Sequence, residues 1–114
     1  MPHTAKIPSV DGLLAFWRGS PALVRFFDEF CTGPTPAGGV FSGTRIVLAD
    51  GDRENFYVIS VEDGAYCLRH THDGLLVSDP EADLEVLDRD EDLDTVFAGA
   101  MRELGFDPAT KPSI

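Results

Sequence analysis

Residues 56–71 read FYVISVEDGAYCLRHT, two mostly apolar runs on either side of the dipeptide Asp63-Gly64. We interpret both runs as strands with a side-chain period of two, and Asp-Gly between two strands predicts a type I′ hairpin turn. A two-residue turn at this place sets the pairs Glu62 with Ala65, Val61 with Tyr66, Ile59 with Leu68, and Tyr57 with His70. One face of the hairpin is then almost entirely apolar.

The segment before this hairpin continues the same pattern. The period changes to two from Val40, and a strand that contains Thr44, Ile46 and Leu48 reaches the hairpin through the loop around Gly51 and Asp52. Residues 32–39 contain three glycines and two prolines and are predicted to form a loop.

The segment after the hairpin repeats the turn signal at Asp73-Gly74. A second two-residue turn there pairs His72 with Leu75 and His70 with Val77, which extends the apolar face across another strand. The result is an antiparallel meander of four strands, and residues 84–87 after Pro80 are a candidate for a short fifth strand.

Three segments have the apolar spacing of helices. Ser9 and the pair Ser20-Pro21 are N-terminal signals for the first two, Gly19 ends the first, and Gly105 lies just past the end of the last. The apolar positions are Val10, Leu13, Leu14 and Trp17; then Leu23, Phe26, Phe27 and Phe30; and finally Leu93, Val96, Phe97, Ala100, Met101 and Leu104. The sequence therefore predicts one α+β domain over residues 1–114: two N-terminal helices, a four- to five-stranded antiparallel meander, and a C-terminal helix packed on one sheet face.

The net charge is strongly negative for a chain of 114 residues, at −11. Nucleic acids and anionic membranes are bound by basic surfaces, so we expect neither as a partner and expect a basic protein instead. No apolar run is long enough to span a bilayer, and Met1–Ser9 lacks the features of a signal peptide, so we expect a cytoplasmic chain. Few lysines and abundant Asp, Arg, Ala and Gly are typical of a GC-rich bacterial genome.

Candidate catalytic residues are few. His70 and His72 are two apart on a predicted strand, so their rings point to one side, a spacing used in metal sites; the alternative is a pair of hydrogen-bonded core or rim histidines. Cys31 and Cys67 match no metal, disulfide or nucleophile pattern and are interpreted as small apolar residues. We expect no cofactor and no enzymatic activity.

Residues 79–94 contain most of the charge: nine carboxylates and one cation, Arg89, which together contribute −8. Asp90, Asp92 and Asp94 favour the dipole of the helix that follows, but the carboxylates between Asp79 and Asp88 have no such role. They are predicted either to be a solvated loop or to be a docking surface for a basic partner. The second sheet face, which includes Phe56 and Leu76, is predicted to be an exposed contact patch or to be covered by the loop at 32–39.

Size, charge and the helix-strand-helix plan resemble those of the immunity proteins that neutralise bacterial polymorphic toxins. The resemblance implies a tight complex in which carboxylates meet a basic active-site cleft. The candidate partner-binding residues are Asp79, Glu81, Asp83, Asp88 and Asp90, with Phe56 and Leu76 as apolar anchors. Two alternatives are a homodimeric acidic secretion or effector chaperone and a small metal-dependent hydrolase that uses His70 and His72.

Overall fold

The computed structural model describes residues 7–79 and 81–105 and confirms the predicted α+β architecture. Two helices come first, five antiparallel strands form one sheet, and a closing helix packs on strands of the sheet. In chain order the elements are α1 (Val10–Gly19), α2 (Pro21–Phe30), β1 (Gly38–Ser42), β2 (Arg45–Ala49), β3 (Phe56–Glu62), β4 (Ala65–Thr71), α3 (Gly74–Val77), β5 (Glu85–Asp90) and α4 (Leu93–Glu103). No helix in the described part of the chain is long and apolar enough to cross a membrane.

The helix ends lie where their capping residues require. The Ser9 hydroxyl oxygen accepts a hydrogen bond from the Gly12 N–H at 3.0 Å, and the Ser20 hydroxyl oxygen accepts one from the Ala22 N–H at 3.1 Å. These bonds satisfy main-chain donors that have no partner within a helix. Gly105 follows α4 with a φ of +95°, the left-handed conformation that glycine adopts without strain.

The strands follow one another in the sheet in chain order, from β1 to β5. The β3–β4 register is the one that the Asp63-Gly64 turn predicts, including Ile59 opposite Leu68 and Tyr57 opposite His70. Asp63 and Gly64 both have positive φ, as a type I′ turn requires. The predicted pairing of β2 with β3 through the loop at Gly51 is also confirmed.

The main core lies between the helices and one sheet face. The helices contribute Leu13, Leu23, Phe26, Val96 and Phe97, each almost fully buried, and the strands contribute Ile46, Leu48, Tyr57, Ile59 and Leu68. Burial of each such side chain contributes about 1.5–3 kcal/mol to folding. The opposite side of the sheet is called the second face below.

The predicted hairpin at Asp73-Gly74 is wrong. Asp73 instead caps the one-turn helix α3, because its carboxylate accepts a hydrogen bond from the Leu75 N–H at 2.9 Å. The pairings of His72 with Leu75 and of His70 with Val77 therefore do not exist, and His70 lies opposite Glu85 of β5. Asp before Gly supports either a type I′ turn or a helix N-cap, and the chain uses the second.

Both outer strands also differ from the prediction. β1 begins at Gly38, inside the segment predicted to be a loop, and pairs along its length with β2. β5 spans Glu85–Asp90 rather than 84–87 and pairs with β4, with a bulge opposite the Leu68–Arg69 step. Acidic residues disfavour strands, so the acidic sequence of β5 concealed a strand that pairing with β4 holds in place.

Candidate interaction surface

A segment that we call the strap, residues 74–79 and 81–84, crosses the second face of the sheet. Val77, Ala82 and Leu84 of the strap pack against Val47 and Val58 of the central strands and form a small second core. The second face is thus covered in its centre by the strap and not by the loop at 32–39.

Two arginines hold the strap to the sheet. Arg45 Nη2 donates to the Val77 carbonyl oxygen at 2.6 Å, and Arg69 Nη1 donates to the Leu84 carbonyl oxygen, also at 2.6 Å. Arg69 also donates from Nε and Nη2 to the two Glu62 carboxylate oxygens at 2.9 and 2.8 Å. Side chains of the sheet therefore hold the strap at Val77 and at its last residue, Leu84.

The Glu62 carboxylate is the negatively charged partner of Arg69. Hydrogen bonds from Arg69 lower the pKa of Glu62 from 4.5 to about 2, with a further contribution from the Ser60 hydroxyl at 2.7 Å. The side chains of Glu62 and Arg69 are 29% and 22% exposed, so water screens the pair only partly. Because the pair is largely buried, removal of either charge would leave the other without its partner and would destabilise the attachment of the strap.

The candidate carboxylates fall into two groups. Asp79, Glu81 and Asp83 lie on the strap and are exposed, whereas Asp88 and Asp90 lie on β5 and are half-buried. Asp88 contacts α4, since its carboxylate lies close to Gly99. The sequence predicted all five as one surface, and the structure divides them between two elements.

Most hydrogen bonds of these carboxylates are made to nearby main-chain amides. Asp79 accepts from the Glu81 N–H at 2.9 Å, Asp88 from the Arg89 N–H at 2.8 Å, and Asp90 from the Asp92 N–H at 2.7 Å. An amide orients a carboxylate without neutralising its charge.

Cationic side chains compensate little of this charge. Within the described ranges, Arg69 is the arginine in ion-pair contact with residues 79–94, at 3.5 Å from Asp83, and Glu85 lies 3.2 Å from His70 Nδ1. Arg69 already binds Glu62, and the Arg89 guanidinium donates to the carbonyl oxygens of Glu62 and Asp63. The segment therefore has a large net negative charge at the surface.

The two candidate anchors are placed differently. Phe56 is half-buried on β3, with Gly74 packed against its ring. Leu76 was predicted on a strand but lies on α3, where it is 39% exposed.

A largely apolar groove of about 370 Å3 lies between β1, the neighbouring strands and α3. Its lining includes Val40, Val47, Ala49, Phe56 and Val77, and also the Arg53 side chain. Sequence reasoning missed this groove because one of its walls, β1, was predicted to be a loop.

The two histidines are in contact, as their spacing predicts, with ring centroids 4.6 Å apart. His70 Nε2 is 2.9 Å from Asn55 Oδ1 and its Nδ1 is 3.2 Å from Glu85, while His72 Nδ1 is 3.0 Å from the Glu54 carbonyl oxygen. In the described part of the chain, no group of three His, Cys, Asp or Glu side chains is placed to hold a metal ion. These contacts favour the interpretation of both histidines as hydrogen-bonded rim residues.

Both cysteines are free thiols. Cys31 is half-buried at the end of α2, and Cys67 is buried on the second face, the side of β4 opposite to His70. Burial raises the pKa of both thiols, which disfavours the thiolate that nucleophilic catalysis needs.

No family model, curated protein or solved structure is significantly similar to this chain. Its function is therefore inferred from its own surface chemistry.

Proposed function

We propose that this chain is a protein-binding inhibitor, an immunity protein that neutralises a bacterial toxin by placing an acidic surface over a basic active-site cleft. The observation that carries the proposal is the weakly compensated charge of residues 79–94, three of whose nine carboxylates are presented on the exposed part of the strap.

Attachment of the strap to the sheet makes this charge suitable for binding. Arg45 and Arg69 hold the strap at Val77 and Leu84, so Asp79, Glu81 and Asp83 lie between two anchored positions. A pre-organised surface loses less conformational entropy on binding than a flexible loop does. A cluster of one sign also steers a basic partner and speeds its association.

The stability of the chain does not explain the strap carboxylates. Glu81 is exposed and makes no ion pair with another described residue, and Asp83, whose side chain is fully exposed, contacts an arginine that Glu62 already neutralises. Like charges at this density repel one another. A basic partner would remove that repulsion, and binding to it is the role that fits their placement.

The proposal is tested by capturing the partner from an extract of the source organism and comparing variants against the purified partner. The triple variant Asp79→Asn, Glu81→Gln, Asp83→Asn retains the shape of the strap and the acceptor oxygen at position 79. Loss of three charge contacts of about 0.2–1 kcal/mol each removes about 0.6–3 kcal/mol of binding free energy, which raises the dissociation constant by about threefold to 150-fold. Isothermal titration calorimetry gives the dissociation constants.

The matched control neutralises three exposed carboxylates on helices: Asp11→Asn, Asp28→Asn and Glu103→Gln. It changes the net charge equally and is expected to bind as the wild type does. In cells, the partner expressed alone should arrest growth and the wild-type chain should restore it. Equal weakening by both triple variants, or a captured partner that is not toxic, would contradict the proposal.

A further inference from the structure

The outer strand β1 has an uncharged edge. Its five residues, Gly38–Ser42, include no ionisable side chain, and among the described residues β2 is its only hydrogen-bonded neighbour in the sheet. Val40 lies opposite Val47 on the second face and is 53% exposed. An edge strand of this kind offers free main-chain donors and acceptors to an incoming strand.

The opposite edge, β5, is protected. It carries Glu85, Asp88, Arg89 and Asp90, contains a bulge, and has its Arg89 N–H bonded to the Asp88 carboxylate. Edge charges and bulges are the devices by which proteins prevent strands from pairing with other chains. Strand addition is therefore favoured at β1.

The apolar groove adjoins the β1 edge and offers a place for a side chain. Side chains alternate between the two faces of a strand, so a strand added beside β1 directs every second side chain towards the second face and the groove. Gly38 leaves space at the end of the groove near Arg53, because a Cβ at position 38 would lie 3.0 Å from Arg53 Nη2. A groove of about 370 Å3 accommodates a branched aliphatic or aromatic side chain.

Charge determines which occupant fits. Two copies of a chain with a net charge of −11 repel each other, whereas a segment rich in Lys and Arg is attracted to it. We propose that β1 and the groove bind an extended, basic segment of the partner protein, added to the sheet as a sixth strand with an apolar side chain in the groove. The inference rests on the proposed function for the basic character of the partner.

The test uses a synthetic peptide in which Lys and Val alternate, titrated into the folded chain and followed by the amide resonances of its NMR spectrum. We expect shifts concentrated at 38–42. A peptide in which Glu replaces Lys is expected not to bind.

The decisive variant is Val40→Lys, which places a cation at the mouth of the groove. Its matched control is Val86→Lys on β5, where the valine is 50% exposed. We expect Val40→Lys to weaken the affinity for the peptide by about tenfold or more. We expect Val86→Lys to change the same affinity by less than about twofold. The amide spectra of both variants show whether the fold is retained, and Val40→Thr serves as a milder variant of the same edge.

Three results would overturn the inference: no shifts at 38–42 with millimolar peptide, equal binding of the Glu peptide, or sedimentation masses showing a dimer for the wild type and a monomer for Val40→Lys. The purified partner separates this inference from the proposed function. If the strap triple variant weakens binding of the partner and Val40→Lys does not, strand addition is wrong and the proposed acidic inhibitor stands. If Val40→Lys weakens binding of the partner and the strap triple variant does not, the acidic inhibitor is wrong and strand addition stands.

Discussion

The two edges of the sheet have similarly exposed valines but differ in charge. Val40 on β1 and Val86 on β5 are each about half exposed, but β1 is uncharged and β5 carries three carboxylates and an arginine. Acidic residues on β5 have a structural reason, since they discourage pairing at that edge. The strap carboxylates lie on no strand edge and have no such structural reason. Within residues 79–94, we therefore expect Asp79, Glu81 and Asp83 to contribute most to partner binding.

The largest expected effect concerns the strap, which lies across the second face between the two edges. Glu62→Gln removes the charged partner of Arg69, and we expect the free energy of unfolding to fall by about 2–3 kcal/mol. Urea denaturation measures this loss. The control is Glu29→Gln in the exposed Arg25–Glu29 pair on α2, where we expect a loss of less than about 0.5 kcal/mol. Equal losses would show that Arg69 and Glu62 do not hold the strap.

The same pair gives a pH dependence. The pKa of Glu62 is lower in the folded chain than in the unfolded chain, so its contribution is complete above about pH 4.5 and is lost as the pH falls towards about 2. The difference in unfolding free energy between the wild type and Glu62→Gln should therefore shrink over that interval. A difference that stays constant from neutral pH to pH 2 would contradict the ion pair.

The smallest expected effect tests the protection of β5. Asp88→Ala removes the acceptor of the Arg89 N–H, and a hydrogen bond worth about 1 kcal/mol corresponds to roughly fivefold faster amide exchange at Arg89. Hydrogen exchange followed by NMR measures this rate. Amides of the central strand β3 serve as the internal reference and should not change. Unchanged exchange at Arg89 would mean that Asp88 does not shield this edge.

Local signals predicted the central part of the fold. Asp63-Gly64 determined the β3–β4 register because type I′ geometry admits a single pairing of the flanking strands. The ends of α1 and α2 followed from Ser9 and Ser20, whose side chains cap the helices. In each case the physical cause lies within a few residues of the element.

The outer strands could not be predicted in the same way because their neighbours determine them. Gly38 and Gly39 favour loops, yet this segment becomes β1 through pairing with β2. The charge of the strap carboxylates was enough to predict their exposure. The groove beside Phe56 could not be predicted from the sequence, because it forms only where β1 and α3 lie near each other in the fold.

The salt dependence of partner affinity tests the role of the strap carboxylates most directly. If they meet positive charge on the partner, the dissociation constant of the wild type rises steeply with salt. The dependence should be weaker for Asp79→Asn, Glu81→Gln, Asp83→Asn and unchanged for the helix control. An affinity that does not respond to salt, or the same dependence in all three proteins, would contradict the account.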